Sequence, residues 1–376
     1  MLAPNGRGIL APFLSGIMDE RFMSSSSLQP RHGDNVISLG PRQDDPMLAA
    51  DADLRHVLDR LAGLGGKPLE AVTPKQARRQ PGLSEALAEV LKPAGRTLEP
   101  ETDVTSSDAE METPDGKLKL RVHRTGQDGE SARPLVLYLH GGGWVTAGND
   151  RDETVPRLIA RQTGAVVVAP AYRLAPEHKF PAAHEDAYAA WLWMIENAET
   201  LGGDAARAAV FGEDAGANMA LNIALQARDE AMQAPVHSVL VTPIAGTDVT
   251  RPSHIENARA RPLGTALLQW YFRHAFANKA DAADPRIGLA QREDFAGINP
   301  VTLILADIDP VRSEGEALAL KLNEADVWVD AKVYEGVSHD FFALGRVVNK
   351  ARFAQAQALT NLNEALKASR RSPGLA

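Results

Sequence analysis

The chain has 376 residues, of which 44% are hydrophobic and 24% are charged, and its 49 acidic and 40 basic residues give a net charge of −9. This acidic balance offers no basic face to a nucleic acid, and the apolar runs are far too short to span a bilayer, so we expect neither a nucleic-acid partner nor a membrane segment. The absence of cysteine excludes disulfides, thiolate metal ligands and a cysteine nucleophile. It suits the reducing cytoplasm, where we expect the protein to reside.

The N-terminal segment, residues 1–46, combines Gly, Pro, four consecutive serines and scattered charges without a sustained periodicity. A segment of this composition buries too little apolar surface to order itself, and we expect a disordered extension. Its apolar stretch GILAPFLSGIM is interrupted by proline, is followed by DER and lacks a small-residue cleavage site. We therefore do not interpret it as a signal peptide.

Two helical patterns follow in residues 47–104. The first, at 51–66, ends at a pair of glycines, and the second lies at 83–92. We expect these helices to form a small unit ahead of a main domain that spans residues 105–376.

The main domain alternates strand and helix patterns. The stretch KLKLRVHR at 117–124 alternates apolar and polar residues, whereas the other strand candidates are continuous apolar runs, at 134–140, 165–170, 208–212, 238–244 and 301–307. Helical patterns lie between most of them, at 151–162, 184–197, 215–229 and 313–323. This alternation predicts an α/β fold with a mostly parallel sheet that is covered on both faces. The stretch 247–299 breaks the rhythm and is predicted to be an insertion over the carboxyl edge of the sheet.

The motif HGGGW, residues 140–144, directly follows a predicted buried strand. Three successive glycines let the backbone turn with its N–H groups pointing into one space, which is the arrangement that holds the oxyanion of a tetrahedral intermediate. The alternative is a glycine turn that serves only as the exit from the strand.

The motif GEDAG, residues 212–216, lies between a predicted strand and a predicted helix. This strand–turn–helix context is that of the G-x-S-x-G elbow, in which a sharp turn exposes a nucleophile at the top of the sheet. Asp214 occupies the middle of the motif, at a helix N-terminus that favours an anion. By itself the motif is equally consistent with a capped helix start.

An acid and a histidine follow downstream, each just after a strand. Asp309 lies in ADIDPVRSEG and His339 in GVSHDFF. Elbow, acid and histidine in this order are typical of the α/β-hydrolase fold. Alone, Asp309 could be a helix N-cap and His339 a loop residue.

Together these motifs resemble those of the hormone-sensitive-lipase-like carboxylesterases, a family of the α/β-hydrolase fold. The residues that carry the resemblance are HGGGW, YRLAPEHKFPAAHEDA (172–187), GEDAGANMA (212–220), DPVRSEG (309–315) and HDFF (339–342). The similarity covers roughly residues 51–368 and implies a small-molecule ester substrate. It also implies a helical cap made of the segment 47–104 and the insertion 247–299.

Carried over by position, the resemblance implies an oxyanion hole from the backbone of Gly142, Gly143 and Ala215. It implies that His339 is a base and that Asp309 is the carboxylate that orients it. Asp214 completes the predicted catalytic group.

Other residues of these motifs are predicted to have supporting roles. Trp144 is interpreted as a wall of the substrate pocket, and Tyr271 as a second pocket residue. The segment 172–187 contains two histidines and several carboxylates but no metal-ligand spacing, so we predict a structural loop held by Tyr172, Arg173 and Glu177. We expect no metal and no cofactor.

The aspartate at position 214 departs from the family, which has a nucleophilic serine there. Acyl transfer through a carboxylate is chemically poor, because the carboxylate would have to expel a far more basic alkoxide. One carboxylate oxygen could also enter the oxyanion hole and compete with the substrate carbonyl.

Several functions therefore stay open at the sequence level. Asp214 and His339 could orient a water against an ester held in the oxyanion hole. Asp214 could instead displace a leaving group at an alkyl carbon, as in the dehalogenases and epoxide hydrolases of this fold, with Trp144 or Tyr271 stabilising the leaving group. The protein could also bind a ligand without turnover, as the plant gibberellin receptors do, or the aspartate could be an engineered substitution.

Overall fold

An eight-stranded sheet with helices on both faces organises the protein. The computed structural model describes residues 45–98, 103–126, 132–146 and 153–368. Residues 1–44 of the predicted N-terminal extension lie outside the described residues. Every helix of the described part is too short or too polar to cross a membrane.

The sheet is mostly parallel. Its strands are β1 (Val104–Thr113), β2 (Gly116–Thr125), β3 (Arg133–Leu139), β4 (Val166–Pro170), β5 (Gly203–Glu213), β6 (Ser238–Val241), β7 (Val301–Ile308) and β8 (Val329–Ser338). Their spatial order is β1-β2-β4-β3-β5-β6-β7-β8. The two pairs that involve β2 are antiparallel, and the other pairs are parallel. The predicted fold class is confirmed.

Eleven α-helices precede, connect or follow the strands in the described residues. They are α1 (Ala52–Gly63), α2 (Pro74–Ala77), α3 (Leu83–Leu91), α4 (Thr154–Thr163), α5 (Ala182–Glu196), α6 (Ala215–Asp229), α7 (Pro252–Glu256), α8 (Thr265–Ala275), α9 (Lys279–Ala282), α10 (Arg312–Glu324) and α11 (Asn349–Ala368). The first three fall in the predicted N-terminal helical segment, and α7, α8 and α9 fall in the predicted insertion. All the helical patterns named above correspond to helices of the structure.

Two apolar layers, one on each face of the sheet, form the core. Along β3 the side chains alternate between them: Leu135, Leu137 and Leu139 pack into one layer, and Val136 and Tyr138 into the other. The three leucines and Val136 have no solvent exposure. A strand buried on both faces has to be apolar at every position, which explains the unbroken apolar runs of the inner strands. The carboxyl ends of these strands are thereby held in fixed positions around the site.

Candidate active site

A one-residue turn places Asp214 at the carboxyl end of β5. The strand ends at Glu213 and α6 begins at Ala215, so Asp214 alone makes the turn, with φ 53° and ψ −117°. This conformation is unfavourable for a residue with a side chain and indicates a strained turn. A Cβ atom at Gly212 or Gly216 would overlap backbone atoms, so only glycine fits at either side.

The glycine turn, residues 140–144, lies beside Asp214 at the end of β3. Its backbone has positive φ at Gly142 (103°) and Gly143 (56°), which directs successive amides to one side. Both amides donate hydrogen bonds to Oδ2 of Asp214, each at 2.7 Å. The turn therefore holds an anion, which is the carboxylate of the chain itself.

Two further residues complete the site from the ends of neighbouring strands. Asp309 follows β7 and His339 follows β8, which is adjacent to β7 in the sheet. His339 Nδ1 lies 2.8 Å from Oδ2 of Asp309, and His339 Nε2 lies 3.4 Å from Oδ1 of Asp214. The structure thus brings the three predicted residues together, hereafter the Asp–His–Asp cluster.

Burial and charge set the protonation of the cluster. Burial alone would lower the pKa of His339, but the charges of Asp309 and Asp340 and the hydrogen bonds to Asp214 and Asp309 raise this pKa well above its usual value. Burial acts to raise the pKa of Asp214, but His339 and the amides of Gly143 and Ala215 hold it below its usual value. At neutral pH the cluster is therefore an imidazolium between two carboxylates.

The carboxylate of Asp340 is a contact that the sequence motifs did not indicate. It follows His339 directly and lies 3.7 Å from Nε2, with φ 62° at its own backbone. The motif HDFF contains this acid, but nothing in the sequence tells which side of the imidazole it faces. It adds a third negative charge near the ring.

Polar contacts beneath the glycine turn fix its position. The Tyr172 hydroxyl donates to the carbonyl of His140 at 2.9 Å, and the two rings stack with centres 4.2 Å apart. Burial lowers the pKa of His140 to about 4, so this imidazole is neutral at neutral pH. Tyr172 was predicted to hold the loop 172–187, and the structure adds His140, which that prediction missed.

Ion pairs of Arg173 and Glu177 fasten the same loop. Arg173 forms a bidentate pair with the buried Asp186, with nitrogen–oxygen distances of 2.8–3.0 Å. Glu177 pairs with Arg78 at 2.7 Å, and the same guanidinium donates to the Val145 carbonyl at 2.8 Å. Arg78 therefore connects the N-terminal helical segment to the end of the glycine turn.

Tyr271 and Trp144, the predicted pocket residues, occupy different positions. The Tyr271 ring packs directly on the α-carbon of Gly143, and its hydroxyl lies 3.1 Å from Oγ1 of Thr146. Tyr271 belongs to α8, and its ring therefore covers the glycine turn. Trp144 is buried and lines a small cavity whose walls include none of Asp214, Asp309 and His339.

The arrangement suits acid–base chemistry beside an anion-binding turn. No group of three or more His, Cys, Asp or Glu side chains suited to a metal ion occurs within the described ranges. The chemical groups at hand are a carboxylate, an imidazolium and backbone amides, which can polarise a carbonyl and move protons.

Comparisons with known proteins agree with this architecture. The model of the alpha/beta hydrolase fold family matches residues 136–343, more than half of the chain. An ethyl acetate hydrolase of Pseudomonas putida is 35% identical over 76% of this chain and 88% of its own length. A carboxylesterase of Mycobacterium tuberculosis, NlhH, is 36% identical over 62% of this chain and 75% of its own length.

A solved structure shows the same fold. The esterase of Pyrobaculum calidifontis superposes with a TM-score of 0.74 at 32% sequence identity, covering 84% of this chain and 98% of its own. Given the family match, the curated relatives and this superposition, the chain belongs to the hormone-sensitive-lipase-like carboxylesterases of the α/β-hydrolase fold.

Proposed function

We propose that the protein hydrolyses small carboxylic esters at the Asp–His–Asp cluster, with the amides of Gly142, Gly143 and Ala215 as its oxyanion hole. The observation that carries this proposal is the position of the Asp214 carboxylate, which accepts two hydrogen bonds of 2.7 Å from the glycine turn and faces His339 at 3.4 Å. An anion bound in this way resembles the oxyanion of a tetrahedral intermediate. The curated relatives are named as ester hydrolases.

In the proposed reaction, the Asp214 side chain turns away from the amides and the substrate carbonyl oxygen takes its place. A water between the carboxylate and the ester then attacks the carbonyl carbon, and its proton passes to Asp214. The amides stabilise the oxyanion that forms. His339, held protonated by Asp309, gives its proton to the departing alkoxide, and the proton on Asp214 then returns to His339.

Two features of the cluster make this reaction slow. The lowered pKa of Asp214 makes it a weak base at neutral pH, whereas an efficient general base has a pKa near the working pH. Its carboxylate also competes with the substrate for the amides. We therefore propose that Asp214 stands where the family has its nucleophilic serine, and that it limits ester turnover.

The other functions that the sequence left open receive no specific support. Displacement at an alkyl carbon needs a group to stabilise the leaving atom. The Tyr271 hydroxyl is already bonded to Thr146, and Trp144 lines a small cavity whose walls do not include Asp214. The relatives named above are esterases, which favours neither displacement nor binding without turnover.

We also propose that the segment 47–104 and the insertion 247–299 form a cap over a domain that spans 105–376. In support, α8 contacts a short 3-10 helix at Leu69–Ala71, and its Tyr271 covers the glycine turn. A cap in this position would line the pocket for a small-molecule substrate.

The test is the Asp214→Ser variant. Serine supplies a hydroxyl that His339 can deprotonate, and it leaves the amides free for the substrate, so we expect hydrolysis of 4-nitrophenyl acetate or butyrate to rise about a hundredfold or more. The loss of one carboxylate also brings the pKa of His339 closer to that of a useful base.

Asp214→Ala is the matched control, because it frees the amides without supplying a nucleophile. We expect it to stay at least about tenfold slower than the serine variant. A serine variant no faster than the unmodified protein would overturn the proposal. An alanine variant as fast as the serine variant would show that the free amides and a water hydrolyse the ester without a nucleophilic side chain.

A further inference from the structure

A small cavity beside the glycine turn is walled by four aromatic rings. Trp144, Phe180, His184 and Phe276 contribute these rings, and alanines with His178 complete the wall. Neighbouring ring centres lie 5.1–6.1 Å apart, so the four rings form a closed cycle. The volume is about 10 Å³, room for one water-sized group.

Two polar atoms of this wall are buried without a partner. Trp144 Nε1 and His184 Nδ1 have no hydrogen-bond partner among the residues that the structure describes. Their residues are 4% and 7% exposed. A buried polar group without a partner is unfavourable, so a ligand that satisfies both atoms is bound more tightly than one that satisfies neither.

The hydrogen bonds around His184 define the character of its Nδ1. Asn218 donates through Nδ2 to the carbonyl of Ile244 at 2.9 Å, which makes its Oδ1 an acceptor. His184 Nε2 lies 2.8 Å from that Oδ1 and is therefore the protonated nitrogen. Burial lowers the pKa of His184 to about 4, so the ring is neutral and Nδ1 carries a lone pair at neutral pH.

Two residues of the cavity wall thus carry one unsatisfied donor and one unsatisfied acceptor. The indole Nε1 of Trp144 can only donate, and Nδ1 of His184 can only accept. A hydroxyl group accepts one hydrogen bond and donates another, so it matches both atoms at once. A methyl group of similar size leaves both unpaired.

We propose that this cavity binds a hydroxyl group of the substrate, so that the protein prefers small hydroxyl-bearing esters over their plain counterparts. Trp144 follows Gly143 directly, which places the cavity next to the amides that would hold the ester carbonyl. The inference rests on the proposed ester hydrolysis. The hydroxyl group can belong to the acyl or to the alcohol side of the ester, and matched substrate pairs distinguish the two.

Two matched substrate pairs test the preference in the Asp214→Ser variant. Ethyl 3-hydroxybutyrate against ethyl 3-methylbutyrate places the hydroxyl on the acyl side, and 2-hydroxyethyl butyrate against propyl butyrate places it on the alcohol side. We expect kcat/KM to favour the hydroxy ester by about tenfold or more in one pair, because two hydrogen bonds are gained. Equal kcat/KM values within both pairs overturn the proposal and would mean that the cavity holds a structural water and no substrate hydroxyl.

Variants of the two wall residues locate the effect. Trp144→Phe removes the donor and His184→Leu removes the acceptor, and each is expected to bring the ratio close to one. His237→Leu is the control, since His237 is an equally buried histidine that contacts Thr302 near the opposite ends of the strands, and it should leave the ratio unchanged. His184 also borders a groove between α5 and α6. If only His184→Leu abolishes the preference, the hydroxyl binds in that groove and the proposal is wrong.

Binding separates this inference from the proposed function. Calorimetric titration of the unmodified protein with each ester pair measures affinity whether or not the ester is cleaved. A tenfold affinity difference that Trp144→Phe abolishes, without hydrolysis in any variant, supports the cavity and overturns the ester hydrolysis. Hydrolysis without any difference in affinity or rate between the paired esters supports the ester hydrolysis and overturns the proposal for the cavity.

Discussion

At the scale of single residues, Asp214 is the residue by which the candidate site departs from the family pattern. Its elbow position follows from GEDAG between a strand and a helix, a pattern visible in the sequence. The sequence also allowed one carboxylate oxygen to enter the oxyanion hole, but the orientation depends on amides of the glycine turn some seventy residues earlier. A rotamer chosen by distant backbone groups cannot be derived from local spacing.

The charge of His339 is a testable consequence. Because its pKa is raised in the folded state, the imidazolium adds stability that is fully present below the ordinary histidine pKa of about 6.5 and is lost as the pH rises through the folded pKa. Asp214→Asn removes one of the carboxylates that raise this pKa. We expect ¹⁵N NMR of the imidazole to show His339 protonated at pH 7 in the unmodified protein, and to show a lower pKa in the variant.

The same variant links protonation to stability. The free energy of unfolding of the unmodified protein, relative to Asp214→Asn, should fall as the pH is raised from 6 to 9. A neutral His339 at pH 6 in the unmodified protein would contradict the imidazolium between two carboxylates.

At the scale of elements, the inner strands were predictable and two outer strands were not. The sequence patterns missed β1 and β8, which are the two edges of the sheet. In both strands, VTSSDAEMET and VDAKVYEGVS, apolar residues are separated by exposed or half-buried polar residues. An edge strand is buried less completely, so it lacks the continuous apolar run that marks an inner strand. His339 was nevertheless placed correctly after a strand, because its motif carried the signal.

The elbow between β5 and α6 has no room for an added methyl group. A Cβ atom at Gly216 would overlap the backbone carbonyls of Leu139 and His140 at the end of β3. We expect Gly216→Ala to lower the free energy of unfolding by about 3 kcal/mol or more, because backbone atoms cannot yield as a flexible side chain can. Urea unfolding monitored by circular dichroism measures this change.

Gly63→Ala provides the control for the elbow. Gly63 is the last residue of α1, is exposed and has open space around its α-carbon. Alanine is favoured over glycine in a helix by up to about 1 kcal/mol, so this variant should be neutral or slightly more stable. Similar losses for both variants would contradict the close approach of β3 and α6.

At the scale of the whole molecule, the layers followed from the sequence and the strand order did not. Apolar runs that alternate with helices are enough to predict a covered parallel sheet, and the structure confirms it. The position of β4 between β2 and β3 depends on how the connections cross the sheet. The apolar pattern of a single segment does not indicate its neighbours in the sheet. The proximity of Asp214, Asp309 and His339 could be predicted because the carboxyl ends of parallel strands meet at one edge.

The burial of neutral histidines within this large core makes the whole molecule sensitive to acid. Burial is the main cause that lowers the pKa of four histidines to about 4: His123, His140, His184 and His237. Their folded-state pKa lies below the unfolded value of about 6.5, so the unfolded chain binds more protons between these two values, and stability is lost as the pH falls through this window. Each histidine should cost roughly 2 kcal/mol at pH 5, and His339, with its raised pKa, adds no loss in this range.

The expected result is a free energy of unfolding that falls steeply from pH 7 to pH 5 in urea titrations. His237→Leu removes one of the four titrating histidines and should reduce the slope of this fall by about a quarter or more. The share exceeds a quarter because Glu314, whose pKa burial raises to about 7, takes up a proton in the folded state over the same range and opposes the fall. The variant also loses the 2.8 Å contact of His237 with Thr302, which lowers stability at every pH, so the slope and not the absolute value is the readout. A stability that is constant between pH 7 and pH 5, or an unchanged slope in the variant, would mean that these histidines are protonated in the folded protein, and that burial does not control their charge.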